Sequence, residues 1–147
     1  MPKTKPKDLG TKWETDVRNY VAKELDDERI ERRALHGARD MGDIYGLFAH
    51  GYSGIIECKR DRDMGASDLA EYQRQTIDER ENADADFALL VCKNFNHSVG
   101  EAFCWLTLRD LARVALPLMV NDGWLDASDE TWVCMPLSTA CALMRGC

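Results

Sequence analysis

The sequence predicts an α/β domain: a mixed β-sheet with helices on both faces. Three observations predict it. A helical apolar stripe opens the chain, with Trp13, Val17, Tyr20 and Val21 at i, i+4, i+7 and i+8, and Leu25 a turn later. Short apolar runs of strand length follow: DIYGLFA, IIECK, FALLVCK, AFCWLTL and TWVCMP. Helical segments interrupt them in the order α, β-β-β, α, β, β, α, β, α, and such an order covers a sheet on both sides.

The first ten residues, MPKTKPKDLG, read as a flexible basic tail, and residues 11–147 as a single domain. Thr11 suits a helix N-cap, with Glu14 three residues on to complete a capping box. That helix should reach Asp26. ERIERRAL (28–35) fits a short charged strand, and HGARDMG a loop. DIYGLFA and IIECK form a hairpin around the turn HGYSG. After the polar loop DRDMGAS, Asp68 opens a second helix with Glu71 three residues later. Its stripe is Leu69, Tyr72, Thr76 and Ile77, and it ends near Glu81. FALLVCK is a buried strand. AFCWLTL runs into a helix over LRDLARVA, with Thr107 and Asp110 as its capping box. Pro117 and DGWLDASDE separate this pair from a last strand, TWVCMP, and a last helix, LSTACALM.

Composition narrows the class. The 147 residues suffice to bury a core. Hydrophobic residues at 45% and charged residues at 31% exclude a disordered or fibrous chain. No run approaches the ~20 apolar residues that cross a bilayer, and the basic N-terminus lacks the apolar segment of a secretory signal. A cytoplasmic protein with no membrane association is expected. The six cysteines show neither CxxC spacing nor a His at zinc-ligand spacing, so reduced, buried thiols are expected. His36 and His50 read as loop residues, and His97 carries no signal.

The chemistry concentrates in residues 42–60. Glu57 and Lys59 alternate with Cys58 along a strand, so the two charged side chains share one face. Antiparallel pairing brings the start of the DIYGLFA strand beside the end of IIECK, so Asp43 joins them at one edge of the sheet. Two adjacent carboxylates repel, and one tends to take up a proton. A hard divalent cation removes that repulsion, since Mg²⁺ prefers a few carboxylates plus water. Such an ion acidifies water and clamps a phosphoryl oxygen. Carboxylates, a lysine and Mg²⁺ together make a site for phosphodiester hydrolysis. The bland alternative is an edge strand with a surface salt bridge, which is worth little.

Asp43 followed by Glu57-Cys58-Lys59 resembles the signature of the PD-(D/E)XK nuclease superfamily, with Gly42 where the family name has Pro. Within it the chain is most similar to archaeal-type Holliday junction resolvases and their phage relatives. These place a glutamate in the first helix, then Asp, then Glu-Cys-Lys or a close variant, and Glu14 matches that glutamate. The likeness covers residues 10 to about 93, and CWLTLRDLARV and WVCMPLSTACALM resemble the tail of phage members more weakly.

The resemblance implies a restriction-endonuclease-like fold and a Mg²⁺-dependent endonuclease, with Mn²⁺ as a substitute. Asp43, Glu57 and the Cys58 backbone carbonyl would hold the ion, and Glu14 would assist. Lys59 would help activate water or stabilise developing charge, and Gln73 would support the site, while Gln75 faces solvent. The implied substrate is four-way junction DNA, cut by a homodimer whose interface could use Trp105, Met119, Trp124 and Trp132. Arg32, Arg33, Arg39, Arg60, Arg62 and Lys93 are the candidate DNA contacts, touching phosphates rather than reading bases. Two alternatives stay open. One is the same fold acting on flaps, nicks, single strands or a restriction-type site. The other is a non-catalytic DNA- or partner-binding module with a structural acidic cluster. The net charge of −7 opposes any polyanion partner, but it is uneven: −1 over residues 1–75 and −6 over 76–147.

Overall fold

The first helix, α1, spans Pro6–Leu25 and starts five residues earlier than the sequence suggests. Pro6 occupies the first helical position, where its missing N–H and fixed φ are favourable. Asp8 in that turn complements the helix dipole. Residues 6–10 are therefore helical, where a flexible tail was expected over residues 1–10. Thr11 and Glu14 lie inside the helix, so no capping box forms there. The computed structural model describes residues 3, 5–34, 40–115 and 128–146. Arg39, His36, Pro117, Met119, Trp124 and Cys147 lie outside the described residues, as does most of DGWLDASDE.

Strand β1 is only Glu31–Arg32, shorter than the strand expected over 28–35. Its preceding residues bond elsewhere: Arg18 Nε donates to the Ile30 carbonyl at 2.8 Å, and Arg29 pairs with Asp27 at 2.9 Å. Strands β2 (Ile44–Ala49) and β3 (Tyr52–Lys59) form the predicted hairpin, with a tighter turn at His50-Gly51. Helix α2 covers Ala66–Asn82, with Gly65 as its N-cap; the Gly65 N–H donates to Asp68 Oδ2 at 3.0 Å. Then come β4 (Phe87–Cys92), β5 (Phe103–Thr107), α3 (Leu108–Val114), β6 (Trp132–Pro136) and α4 (Leu137–Arg145). Thr107 caps α3 as expected, its hydroxyl accepting from the Asp110 N–H at 3.1 Å.

The six strands lie in the order β1-β2-β3-β4-β5-β6. Among the described strands only β3 and β4 pair in parallel. All six residues of β4 are buried, as expected of a parallel strand covered on both faces. Ile56 and Cys58 enter the core with Trp13 and Val17 of α1, whereas the alternate residues 57 and 59 face α2. Among the described residues the chain is thus an α/β domain: a mostly antiparallel mixed sheet with four α-helices, consistent with a restriction-endonuclease-like fold.

Gly46 has a structural role in this sheet. Gly46 sits at φ +87 in an irregularity of the β2–β3 register, and a Cβ there would lie 2.7 Å from the Arg29 carbonyl. It lets the sheet edge close on the α1–β1 connection. Cys58, Cys92, Cys104 and Cys141 are free and buried, while Cys134 is free and exposed. Among the described residues no helix is long and apolar enough to cross a membrane.

Candidate active site

The site forms where β2 begins and β3 ends. Ile44 pairs with Ile56, and the Asp43 N–H donates to the Ile56 carbonyl at 3.0 Å. Asp43 Oδ2 in turn accepts the Cys58 N–H at 2.8 Å. Both contacts draw the Asp43 carboxylate across the hairpin toward Glu57. Gly42, just before it, adopts φ +89, and a Cβ there would meet Ile55 Cδ1 at 3.0 Å. A proline, held near φ of about −65°, does not fit this backbone, which accounts for the glycine in the motif.

Five carboxylates form a row through this point. Glu14 from α1 neighbours Asp43, Asp43 neighbours Glu57, Glu57 neighbours Glu79 of α2, and Glu79 neighbours Asp40. Burial, then the Glu57 carboxylate, pushes Asp43 up to about 8. Burial and the contact with Glu79 push Glu57 up to about 8. Glu79 rises to about 7 through burial and its neighbour Asp40. Glu14 is raised by burial and Asp43, against the opposing pull of Arg32, whose guanidinium lies 2.9 Å away. Arg32 is the one cation in ion-pair contact with this row among the described residues.

Lys59 shares the Glu57 face. Its ammonium donates to Gln75 Oε1 at 3.1 Å and lies 4.7 Å from the centre of the Tyr72 ring. Tyr72 is itself tied to Asp61 by a 2.7 Å hydrogen bond. The glutamine bonded to Lys59 is Gln75 and not the Gln73 expected from sequence, whose side chain makes no hydrogen bond among the described residues. Gln75 lies four residues before Glu79, on the same helix face. The sequence reading missed Glu79, and a signal for it existed. Tyr72, Thr76 and Glu79 fall at i, i+4 and i+7, so Glu79 continues the inward stripe. Asp40, in a loop, offered no such periodicity.

The basic candidates divide into two groups. Arg32 is engaged with Glu14, and Arg33 lies over the Tyr45 ring at 4.6 Å. With Lys7, Glu14 and Asp43 they line a groove of about 330 Å³. Arg60, Arg62 and Lys93 instead gather around Phe95, at 5.0, 4.1 and 5.4 Å from its ring centre. Lys93 is also 5.5 Å from the Trp13 ring, next to Glu14 in sequence. None of the three has a carboxylate within ion-pair distance among the described residues. Phe95 was not singled out from sequence.

Comparison with protein-family models, with curated proteins and with solved structures gives no match.

Proposed function

We propose that this chain is a divalent-cation-dependent endodeoxyribonuclease, with branched DNA, the four-way junction first, as its substrate. The observation that carries the reading is the convergence of Asp43, Glu57 and Lys59 at one end of the hairpin. The donor set fits Mg²⁺ or Mn²⁺: hard anionic oxygens, half-buried or buried, with too few protein cations to neutralise them. Asp43, Glu57 and the Cys58 backbone carbonyl would hold the ion, with Glu14 assisting. When bound, the ion supplies Lewis acidity toward the phosphodiester and lowers the pKa of water. Lys59, steadied by Gln75, places a positive charge where negative charge grows on the phosphoryl oxygens. A carboxylate row assembled only for structure has no evident purpose, because each added charge raises the cost of its neighbours.

A junction-cutting enzyme has two strands to cut symmetrically, which suits a homodimer. A second reading of the substrate is favoured by Phe95. An aromatic ring surrounded by three cations is the chemistry that holds unpaired bases beside a phosphate backbone. On that reading the enzyme cuts flaps or single strands.

The deciding experiment incubates full-length protein and Mg²⁺ with an end-labelled four-way junction, a flap, a single strand and a linear duplex, with Glu57→Gln as control. Paired cuts in the junction alone, lost in the variant, support the resolvase. Cutting of flaps or single strands transfers support to the second reading. Metal-dependent cutting of none of them, with DNA still bound, replaces the enzyme by a DNA-binding module.

A further inference from the structure

Three of the five carboxylates gather beside α2, which supplies one of them. Asp40, Glu57 and Glu79 each offer one oxygen, and these three oxygens lie within 4.8 Å of one another. Glu57 and Glu79 are 3% and 4% exposed. Oε2 of Glu79 is fully buried and has no hydrogen-bond partner. Buried carboxylate oxygens are almost always partnered, so a bare oxygen on a carboxylate whose neighbours are Glu57 and Asp40 marks a place that a cation would fill. No lysine or arginine supplies it among the described residues: Lys59 bonds Gln75, and Arg80, next to Glu79, is bound to Asp110, Asp129 and Glu81.

The surroundings suit a hydrated ion. A polar groove of about 360 Å³, lined by Asp40, Gln75, Asp78, Glu79 and Asn82, opens beside the cluster. Two hydrogen bonds fix the Asp40 end of the loop: the Gly42 N–H donates to Asp40 Oδ1 at 3.0 Å, and Asn82 Nδ2 donates to the Asp40 carbonyl at 2.9 Å. Magnesium–oxygen distances of about 2.0–2.1 Å put ligands on opposite sides of the ion at most ~4.2 Å apart. The three oxygens need only a small side-chain closure to reach that.

We propose that Asp40, Glu57 and Glu79 hold a second divalent cation, Mg²⁺ or Mn²⁺, hydrated on its groove side, with Glu57 shared between the two ions. Two ions about 3.5–4 Å apart clamp the attacking and leaving oxygens of a phosphodiester displacement. This catalytic use rests on the nuclease reading; the binding does not.

Counting bound Mn²⁺ by the electron paramagnetic resonance of the free ion tests both. The full-length chain should bind two ions. Glu79→Gln and Asp40→Asn should each bind one, and Asp43→Asn should lose the other. Melting in chelator checks that each variant is folded, and the exposed Asp40 gives a second probe should Glu79→Gln fail to fold. One ion in the unaltered protein, retained in Glu79→Gln and Asp40→Asn, overturns the second site and leaves the nuclease reading standing. Two ions with the expected losses, but no cutting of any DNA, leaves the second site and sinks the nuclease reading. No binding at all sinks both.

Discussion

The backbone N–H of Cys58 donates to Oδ2 of Asp43 at 2.8 Å. This bond fastens the first acid of the motif to the strand that carries the second. The β2–β3 pairing alone would set the two strands in register, but it would leave the Asp43 side chain free to rotate. With the bond made, Asp43 and Glu57 stay close despite their repulsion. The peptide N–H also favours the ionised form of Asp43, partly opposing burial.

Gln75 holds Lys59 without touching a reacting group. Gln75→Ala should lower kcat about 10-fold and leave KM and metal stoichiometry nearly unchanged, less than the ~10²–10³-fold cost of removing a charge-stabilising group itself, as in Lys59→Met. Gln73→Ala should have no effect. Steady-state rates on the preferred DNA measure this, and equal losses at both glutamines would refute the assignment.

The carboxylate row predicts an unusual pH response. Asp43 and Glu57 are pushed up to about 8 from 3.8 and 4.5. From about pH 4 to about pH 8 the folded chain thus keeps protons that the unfolded chain has released, so stability falls as pH rises. Below that window both states are protonated, and above it the full penalty is present. In chelator the melting temperature should drop between about pH 5 and about pH 8, and Glu57→Gln should flatten the slope. Mn²⁺ should reverse it, by about 2.7 kcal/mol at ~100 times its Kd. A slope unchanged in Glu57→Gln would mean that other groups cause it.

Arg80 is 2% exposed and bonds Asp110 at 2.9 and 3.0 Å, Asp129 at 2.8 and 3.0 Å, and Glu81 at 2.9 Å. Arg80→Met leaves Asp110 buried without its partner and should cost about 3–5 kcal/mol in urea unfolding. Arg80, first among its neighbours, holds Asp129 down at about 2. A depressed carboxyl stabilises the fold above its ordinary pKa, and this is lost as pH falls from about 4 through about 2. Asp129→Asn should remove that part of the acid transition.

Phe95 and its three cations should govern binding of unpaired strands. Phe95→Ala should weaken single-stranded DNA binding by about 1–3 kcal/mol if one base stacks on the ring. Lys93→Ala should lower the slope of log affinity against log salt by ~0.7. Fluorescence anisotropy at several salt concentrations reads both, with linear duplex as the comparison. An equal loss on duplex would assign the patch to phosphates alone.

Asp43, Glu57 and Lys59 were legible because their relation is local: strand alternation and one hairpin bring them together. The helical contribution was less so. Gln73 and Gln75 are two positions apart, about 200° around a helix, so they flank the inward stripe on opposite sides, and centring that stripe on Leu69 and Ile77 rather than on Thr76 and Glu79 picks the wrong one. Glu79 was obscured because a charge inside a helical stripe looks like its polar edge, although its spacing from Tyr72 and Thr76 continues the inward face. Asp40 and Phe95 sit on loops, whose path no periodicity describes. The early start of α1 was missed because Gly10 resembles a breaker; its position is open, with nothing within 4 Å of a Cβ there, and the helix runs through it.

Gly42 has a consequence for how this site arose. Its φ of +89 is about 150° from the angle that a proline imposes. A Pro-Asp version of such a motif therefore needs a different backbone ahead of its Asp from the one that Gly42 adopts here. The barrier runs one way: a proline at position 42 requires the loop ahead of Asp43 to be rebuilt, whereas a glycine, free to take either sign of φ, can stand where a proline stood.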